Sequence, residues 1–200
     1  MTAHYLAGST YPLKPGDACL VHAAAGGVGL LLCQVAKRRG ATVIATVSTE
    51  AKAALARAAG ADHVILYAQE DFVAGVRNAT GGAGVHVVYD GVGATTFAKG
   101  LDCLRPRGMM VLFGAASGPV PPFDLGELNT KGSLYVTRPT LNTYAAKRDN
   151  LVAMANELFE VVKSGAVKIE VHQTYPLKDA AKAHTDLAAR KTTGSTVLTV

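Results

Sequence analysis

The stretch Val21-His-Ala-Ala-Ala-Gly-Gly-Val-Gly-Leu30 decides the fold of this 200-residue chain. It overlaps an apolar run, Ala18 to Ala23, that is typical of a buried strand, and it leads into apolar residues at helical spacing. A strand, a glycine turn and a helix form the setting of the dinucleotide-binding fingerprint G-x-G-x-x-G. Against that spacing the match is Ala24, Gly26 and Gly29, so alanine replaces the first glycine.

Each part of this turn has a physical role in nucleotide binding. Gly26 lets the backbone approach a pyrophosphate, and Gly29 lets the helix pack closely on the strand. The N-terminus of the helix offers free N–H groups and a partial positive charge to the same pyrophosphate. The flanking strand and helix therefore favour a nucleotide site over a purely structural turn.

Composition is typical of a packed globular protein. Hydrophobic residues make up 49% and charged residues 18% of the chain, which excludes disorder. No apolar run approaches the roughly 18 residues of a membrane span, and no leader pattern opens the chain. The net charge is +5, but the only basic cluster, Lys37-Arg38-Arg39, falls at a predicted helix end, where it suits the helix dipole. We therefore expect neither a membrane nor a nucleic acid as partner.

The cysteines and histidines show no metal-binding pattern. The chain has three cysteines, Cys19, Cys33 and Cys103, and none has C-x-x-C spacing. The odd number argues against a set of disulfides, and the spacing argues against structural zinc. Free cysteines of this kind favour a reducing cytoplasm. No pair among the six histidines has ligand spacing. His22, just before the glycine turn, is expected to be an interior histidine rather than a catalyst.

Strands and helices alternate along the chain without a hairpin signal. This pattern predicts the α/β class, with a Rossmann-type doubly wound parallel sheet covered by helices on both faces. The predicted strands are Ala18–Ala23, Ala41–Val47, His63–Leu66, Val85–Tyr89, Met109–Phe113 and Gly132–Thr137, and a long helix is predicted over Leu141–Lys163.

Ligands on such sheets bind outside the carboxyl ends of the strands. Four glycines follow predicted strands at those ends: Gly26, Gly91, Gly93 and Gly114. Their clustering favours a shared ligand crevice.

The last 35 residues change the pattern. Val167 to Tyr175 alternates in polarity like a half-exposed strand, Lys178 to Arg190 is helical, and Ser195 to Val200 is a last strand. So few residues cannot form a core alone. We therefore expect a dinucleotide-binding domain over residues 1–165, and over residues 166–200 a segment of a second domain whose remainder is absent.

Five motifs carry a resemblance to a known family. They are His22-Ala-Ala-Ala-Gly-Gly-Val-Gly29, Gly60-Ala-Asp62, Val87-Val-Tyr-Asp-Gly-Val-Gly93, Leu101-Asp-Cys-Leu-Arg-Pro-Arg-Gly108 and Lys131-Gly-Ser-Leu-Tyr-Val-Thr-Arg-Pro139. On these motifs the chain resembles the cofactor-binding half of the zinc-independent quinone oxidoreductases, in the zeta-crystallin branch of the medium-chain dehydrogenase/reductase superfamily. The resemblance covers essentially the whole chain.

The resemblance implies an activity and a missing part. Family members transfer a hydride from NADPH to a quinone or a similar conjugated carbonyl, without zinc and with no fixed catalytic residue. They begin with a barrel-like, GroES-like catalytic domain. Residues 166–200 resemble the C-terminal segment of the chain that returns to that domain. We therefore expect this stretch of chain alone to bind NADPH weakly and to reduce no quinone.

The resemblance also implies which residues contact NADPH. The pyrophosphate would be held by Gly26, Gly27 and Val28. The path of the adenine, ribose and nicotinamide would be lined by Tyr67, Gly91, Val92, Phe113 and Gly114. Tyr5 would approach the nicotinamide end, and Arg190 a phosphate.

The choice between NADPH and NADH is expected to depend on the end of the second strand. An NAD-preferring protein places Asp or Glu there, about 20 residues beyond the glycine turn, but this chain has Thr46-Val47-Ser48. Lys52 lies one helical turn beyond Ser48, so its ammonium can reach the same point. Ser48 as donor and Lys52 as cation predict a 2′-phosphate site and hence NADPH. The alternative is that Lys52 is a solvated helix lysine.

Two other functions and one assembly are also consistent with the sequence. A nucleotide-binding module without catalysis, in a structural or RNA-binding role, shares the glycine turn, although no RNA motif supports it. An enoyl reductase domain of a larger synthase shares the fold and the cofactor. The strand Gly132–Thr137 should lie at the sheet edge, where the resemblance implies a homodimer.

Overall fold

A computed structural model describes all 200 residues and contains a six-stranded parallel sheet. Its strands are β1 (Ala18–Val21), β2 (Thr42–Val47), β3 (His63–Leu66), β4 (Val85–Asp90), β5 (Leu104–Leu112) and β6 (Tyr135–Thr137). The strand order is β3-β2-β1-β4-β5-β6, and each neighbouring pair is parallel. The predicted Rossmann-type α/β fold is therefore confirmed. The order reverses between β1 and β4, which places a ligand crevice at the carboxyl ends of these strands.

Nine α-helices accompany the sheet. They are α1 (Thr2–Tyr5), α2 (Gly27–Arg38), α3 (Glu50–Ala58), α4 (Phe72–Ala79), α5 (Phe97–Asp102), α6 (Gly126–Thr130), α7 (Leu141–Tyr144), α8 (Arg148–Lys163) and α9 (Ala180–Ala188). A π-helical turn, Leu6–Thr10, follows α1, and a 3₁₀ turn, Leu177–Asp179, precedes α9. None of these helices combines the length and apolarity needed to cross a membrane.

The sheet is buried on both faces because side chains alternate along each strand. On one face, Cys19 and Val21 belong to a cluster of 22 buried residues that includes Leu32 of α2. On the other face, Leu20 belongs to a cluster of 13 buried residues that includes Val76 of α4. Helices therefore cover the sheet from both sides, as a parallel sheet requires.

Several predicted elements have different bounds in the structure: β5, for example, begins at Leu104 instead of Met109, and a backbone feature accounts for three others. The first strand ends at Val21 instead of Ala23, because Ala23 adopts a left-handed backbone conformation with φ of 51°. The predicted strand Gly132–Thr137 begins only at β6, because Gly132 and Ser133 both have positive φ. The predicted helix over residues 141–163 is divided into α7 and α8, because the extended backbone of Lys147 interrupts it.

The C-terminal residues form a separate two-stranded parallel sheet. Its strands are β7 (Val171–Pro176), which begins four residues later than predicted, and β8 (Ser195–Thr199). Within residues 166–200 only Val167, Ala183 and Asp186 are buried. The segment therefore has no core of its own.

Candidate functional site

A cavity of about 650 Å³ lies at the carboxyl ends of β1 to β4. This size is within the range of roughly 300–1,000 Å³ that small-molecule and cofactor sites occupy. Seven of the twelve predicted cofactor residues line it: Gly26, Gly27, Ser48, Lys52, Tyr67, Val92 and Arg190. The cavity therefore joins residues from the glycine turn, from the ends of four strands and from the C-terminal segment.

The glycine turn gives this cavity an anion-binding wall. Helix α2 begins at Gly27, directly after Gly26, and no side chain caps it. The first turn of a helix has N–H groups without intrahelical acceptors, and the positive end of the helix dipole lies there. The turn can therefore bind a pyrophosphate through the backbone of its glycines and of Val28, although the side chain of Val28 does not line the cavity.

The structure confirms the predicted packing role of Gly29. A Cβ atom on Gly29 would lie 2.4 Å from the Ala23 carbonyl oxygen and 2.6 Å from the Cα of Ala24. No real side chain tolerates such distances, so helix α2 reaches the strand end only because residue 29 is glycine. The left-handed residue of the turn is Ala23, one position before the alanine that aligns with the first glycine.

Ser48, Lys52 and Arg190 meet at the end of β2. Thr49 caps α3 by accepting the backbone N–H of Lys52 at 3.3 Å, which fixes this lysine in the first turn of the helix. The Lys52 ammonium donates to the backbone carbonyl of Arg190, with 2.8 Å between Nζ and O. Lys52 is half-buried. It is therefore not a freely solvated helix lysine.

Arg190 holds an unusual backbone conformation after helix α9. Its φ is 59°, in the left-handed region that favours glycine. Its N–H donates to the Leu187 carbonyl, and the N–H of Lys191 donates to the Asp186 carbonyl, both at 3.0 Å. This is the Schellman arrangement, in which the left-handed position is usually glycine. The chain therefore carries an arginine side chain at the cavity in spite of a backbone cost.

A backbone bridge attaches the C-terminal segment to the glycine turn. The N–H of Gly194 donates to the Ala25 carbonyl at 2.9 Å, and Gly194 forms an isolated parallel bridge with Gly26. A Cβ on Gly27 would lie 3.1 Å from the Gly194 carbonyl oxygen. The segment therefore lies directly against the turn, which explains the need for a second small residue after Gly26.

Gly91, Phe113 and Gly114 lie together beside this cavity but do not line it. A Cβ on Gly91 would lie 2.9 Å from the Phe113 ring, and one on Gly114 would lie 2.5 Å from the Gly91 carbonyl oxygen. The structure therefore brings these three predicted residues together at the ends of β4 and β5, next to Val92, which does line the cavity.

Tyr5 is placed away from the cavity. Only 2% of its surface is exposed, and its ring packs against Tyr144 with 4.9 Å between centroids. Burial raises the pKa of its hydroxyl. In this structure Tyr5 is a residue of the core.

His22 is an interior histidine, as predicted, but it also lines the cavity. Its Nδ1 lies 2.9 Å from the Thr46 hydroxyl oxygen, its ring meets Phe72 edge-on, and its Nε2 has no partner. Burial lowers its pKa to about 4, against the opposing effect of Asp90. The ring is therefore neutral near pH 7 and attaches β1 to β2 behind the glycine turn.

One part of the cavity wall has residues that were not predicted from the sequence. Lys99 of α5 and Asp71, the N-cap of α4, both line the cavity and form an ion pair with 2.8 Å between Nζ and Oδ1. Thr95 and Thr96 lie on the same wall. One available signal was their position, because these residues follow the carboxyl ends of β3 and β4, where ligands of parallel sheets bind.

No metal site is formed by this chain. No group of three or more His, Cys, Asp or Glu side chains lies close enough together to hold a metal ion. Cys19, Cys33 and Cys103 are all buried as free thiols.

Comparisons with known proteins agree with this geometry. The family model described as zinc-binding dehydrogenase matches residues 27–155. The chain is 52% identical, over 198 residues, to a Pseudomonas aeruginosa protein named quinone oxidoreductase, covering 99% of this chain and 61% of that protein. It is 49% identical, over 199 residues, to a Burkholderia sp protein named 2-haloacrylate reductase, covering 99% of this chain and 60% of that protein.

A longer solved structure has the same fold over nearly all of this chain. The structure of Escherichia coli quinone oxidoreductase complexed with NADPH superposes with a TM-score of 0.95 at 51% identity, covering 99% of this chain and 62% of that chain. The present chain thus spans about three fifths of the length of the relatives that it matches.

Proposed function

The chain belongs to the zinc-binding dehydrogenase family, and on that premise we propose that it is the NADPH-binding part of an oxidoreductase that reduces quinones or conjugated carbonyl compounds. The observation that carries the proposal is the cavity in which the uncapped helix α2 faces Ser48, Lys52 and Arg190. The names quinone oxidoreductase and 2-haloacrylate reductase among relatives at about half identity support the reaction class.

The residues present fit NADPH in three places. The glycine turn and the first N–H groups of α2 suit the pyrophosphate. Ser48 and Lys52 offer a hydroxyl and an ammonium to the 2′-phosphate, and no carboxylate stands at the end of β2 to repel it. Tyr67, with 41% of its surface exposed, lines the cavity, where its side chain is accessible to the cofactor.

NADPH, when bound, supplies the hydride that the acceptor receives, and the chain supplies orientation. We propose that Gly91, Val92, Phe113 and Gly114, at the carboxyl ends of β4 and β5, lie along the path of the nicotinamide, as the family resemblance implies. Holding donor and acceptor in contact accounts for a large part of the rate in such reactions. We assign no catalytic residue to this chain.

Zinc does not fit the residues of this chain. The family description names zinc, but no set of side chains here could coordinate it.

Replacement of Lys52 by alanine tests the proposed site. A charge-assisted hydrogen bond contributes roughly 1.5–3 kcal/mol. Lys52→Ala should therefore weaken NADPH binding by about 10- to 100-fold, while NADH binding hardly changes. Both cofactors are titrated against wild type and variant by calorimetry or by reduced-nicotinamide fluorescence.

Arg57→Ala is the matched control. Arg57 lies on the same helix but pairs with Glu50 and does not line the cavity, so its loss removes one positive charge without touching the site. Equal losses for NADH and NADPH in Lys52→Ala, or an equal effect of Arg57→Ala, would show that Lys52 does not bind the 2′-phosphate.

We also propose that residues 166–200 belong to a second domain of the GroES-like type. Two observations support this division. The segment buries only three of its residues, and β7 and β8 form a sheet separate from the six-stranded one. The relatives are longer than this chain, which leaves room for the rest of such a domain.

We further propose a homodimer through β6. This strand ends the sheet, and Tyr135 on it is 58% exposed. An unpaired edge offers backbone donors and acceptors to a second copy. Sedimentation at high micromolar concentration should show a dimer that Tyr135→Lys converts to monomer, and a monomeric wild type would contradict the proposal.

For the compartment we propose the reducing cytoplasm. All three cysteines are buried and unpaired. Burial raises the pKa of the Cys33 and Cys103 thiols to about 12, so they remain protonated and unreactive. Cysteines of this kind are core residues rather than members of a disulfide framework.

The two alternative functions have less support. The relatives that match along 99% of the chain are named as oxidoreductases, which favours an enzyme over a nucleotide-binding module without catalysis. An enoyl reductase of a larger synthase would share the cofactor site proposed above, so it differs from the main proposal in the acceptor and not in the role of this chain.

A further inference from the structure

The ammonium of Lys52 is bonded to a part of the chain that is remote in sequence. Its partner, the Arg190 carbonyl, lies 138 residues away in the C-terminal segment. Lysine has four flexible side-chain bonds, and ordering it costs up to about 2 kcal/mol of rotamer entropy. A fixed acceptor beside the ammonium therefore determines where its charge lies.

The Arg190 carbonyl is itself fixed by the backbone around it. The Schellman bonds to Leu187 and Asp186 close α9, and the left-handed conformation at Arg190 turns the chain there. Four residues later, Gly194 is bonded to the glycine turn. The carbonyl is therefore held between two attachment points.

One ammonium can bind both a carbonyl and a phosphate. It has three N–H donors, and the Arg190 carbonyl uses one of them. Two donors remain for an anion in the cavity that Lys52 and Ser48 line.

From this geometry, and resting on the proposed function, we propose that the Arg190 backbone carbonyl positions Lys52 for the 2′-phosphate. Arg190 thus acts through two groups: its guanidinium at the cavity, and its carbonyl as a positioning group for Lys52. The C-terminal segment, and not only the end of β2, then determines the preference for NADPH over NADH.

Two variants at one position separate the carbonyl from the guanidinium. Arg190→Gly and Arg190→Val both remove the guanidinium. Glycine adopts the left-handed conformation readily and keeps the carbonyl in place, whereas a β-branched residue strongly disfavours it and displaces the carbonyl. Any direct contact of the guanidinium with the cofactor is lost equally in both.

The measured quantity is the ratio of the dissociation constants for NADH and NADPH. We expect the ratio for Arg190→Val to lie about 10-fold below that for Arg190→Gly, since the charge-assisted bond of Lys52 becomes misplaced in the valine variant alone. In a Lys52→Ala background the two variants should give the same ratio, because the group that the carbonyl positions is gone.

Circular dichroism and thermal unfolding first establish that each variant folds. If Arg190→Val does not fold, Arg190→Ala provides the same comparison with less strain, and its ratio should fall below that of Arg190→Gly. If Arg190→Gly and the folded comparison variant (Arg190→Val or Arg190→Ala) give equal ratios while wild type still prefers NADPH, this inference is overturned and the proposed function is not. Absence of NADPH binding to wild type would overturn the proposed function, and this inference with it.

Discussion

The six-stranded sheet and the C-terminal segment are held in place by different forces. The sheet lies between two clusters of 22 and 13 buried residues, whereas residues 166–200 bury only three. Polar and backbone bonds attach the segment to the sheet: Gly194 to Ala25, Lys52 to Arg190, and Gln34 to Lys168. The cavity lies where these two regions meet, so one wall is rigid and the other is only tethered.

The largest effect is expected from breaking the rigid wall at Gly29. Gly29→Val places a branched side chain where even a Cβ would lie 2.4 Å from a backbone oxygen, so α2 must move off the strand. Overpacking of this kind should lower the free energy of unfolding by about 3 kcal/mol. Urea denaturation measures it.

Ala54→Val on the exposed face of α3 is the control for Gly29→Val. It adds the same branched side chain to a helix without a clash, and it should change the free energy of unfolding by under about 0.7 kcal/mol. Similar losses in the two variants would mean that contact between α2 and the strand is not what the glycine provides.

The pH dependence of the free energy of unfolding tests the contribution of His22, which lies behind the glycine turn. Burial lowers the pKa of His22 to about 4 from its ordinary 6.5, so the unfolded chain binds a proton that the folded chain does not. Stability from this group is therefore complete above pH 6.5 and is lost as the pH falls toward 4, by roughly 3 kcal/mol.

His22→Gln isolates this contribution, because glutamine keeps a polar group near Thr46 but does not titrate. Its free energy of unfolding should fall less than that of wild type between pH 6.5 and 4. Parallel curves for the two proteins would assign the acid loss to other groups.

The smallest expected effect lies at the tethered wall. The Gln34 amide donates to the Lys168 carbonyl at 3.1 Å and accepts the Lys168 N–H at 2.8 Å. Gln34→Ala should lower the free energy of global unfolding by about 1 kcal/mol or less. Hydrogen exchange over residues 167–176 should nevertheless become faster than in wild type, while β1 and β4 remain protected. Unchanged exchange in the segment would show that it is held by other contacts.

The sequence predicted the rigid region more fully than the tethered one. Apolar runs, helical periodicity and glycine stops are local signals, and they were sufficient for the strand number, the class of sheet and the glycine turn. Ser48 and Lys52, which both line the cavity, could be predicted because their position relative to the fingerprint is fixed by the βαβ unit. Local sequence signals therefore predict those features that depend on one strand, one helix or one turn.

What the sequence did not predict depends on contacts between distant residues or on single backbone dihedrals. The bond from Lys52 to the Arg190 carbonyl has no signature in residue type, because any residue has a carbonyl. The burial of Tyr5 against Tyr144 depends on where the helices of the same face are placed. The early end of β1 depends on the left-handed conformation of Ala23, a residue type that rarely adopts it.

The bond between Lys52 and Arg190 also has a consequence for the order of folding. It closes a loop of 138 residues, and contacts of such long range form only after local structure has reduced the entropy of the intervening chain. The sheet can therefore assemble before the cavity is complete. A nucleotide that needs both walls then binds only the finished molecule, and by mass action it stabilises that state over every partly folded one.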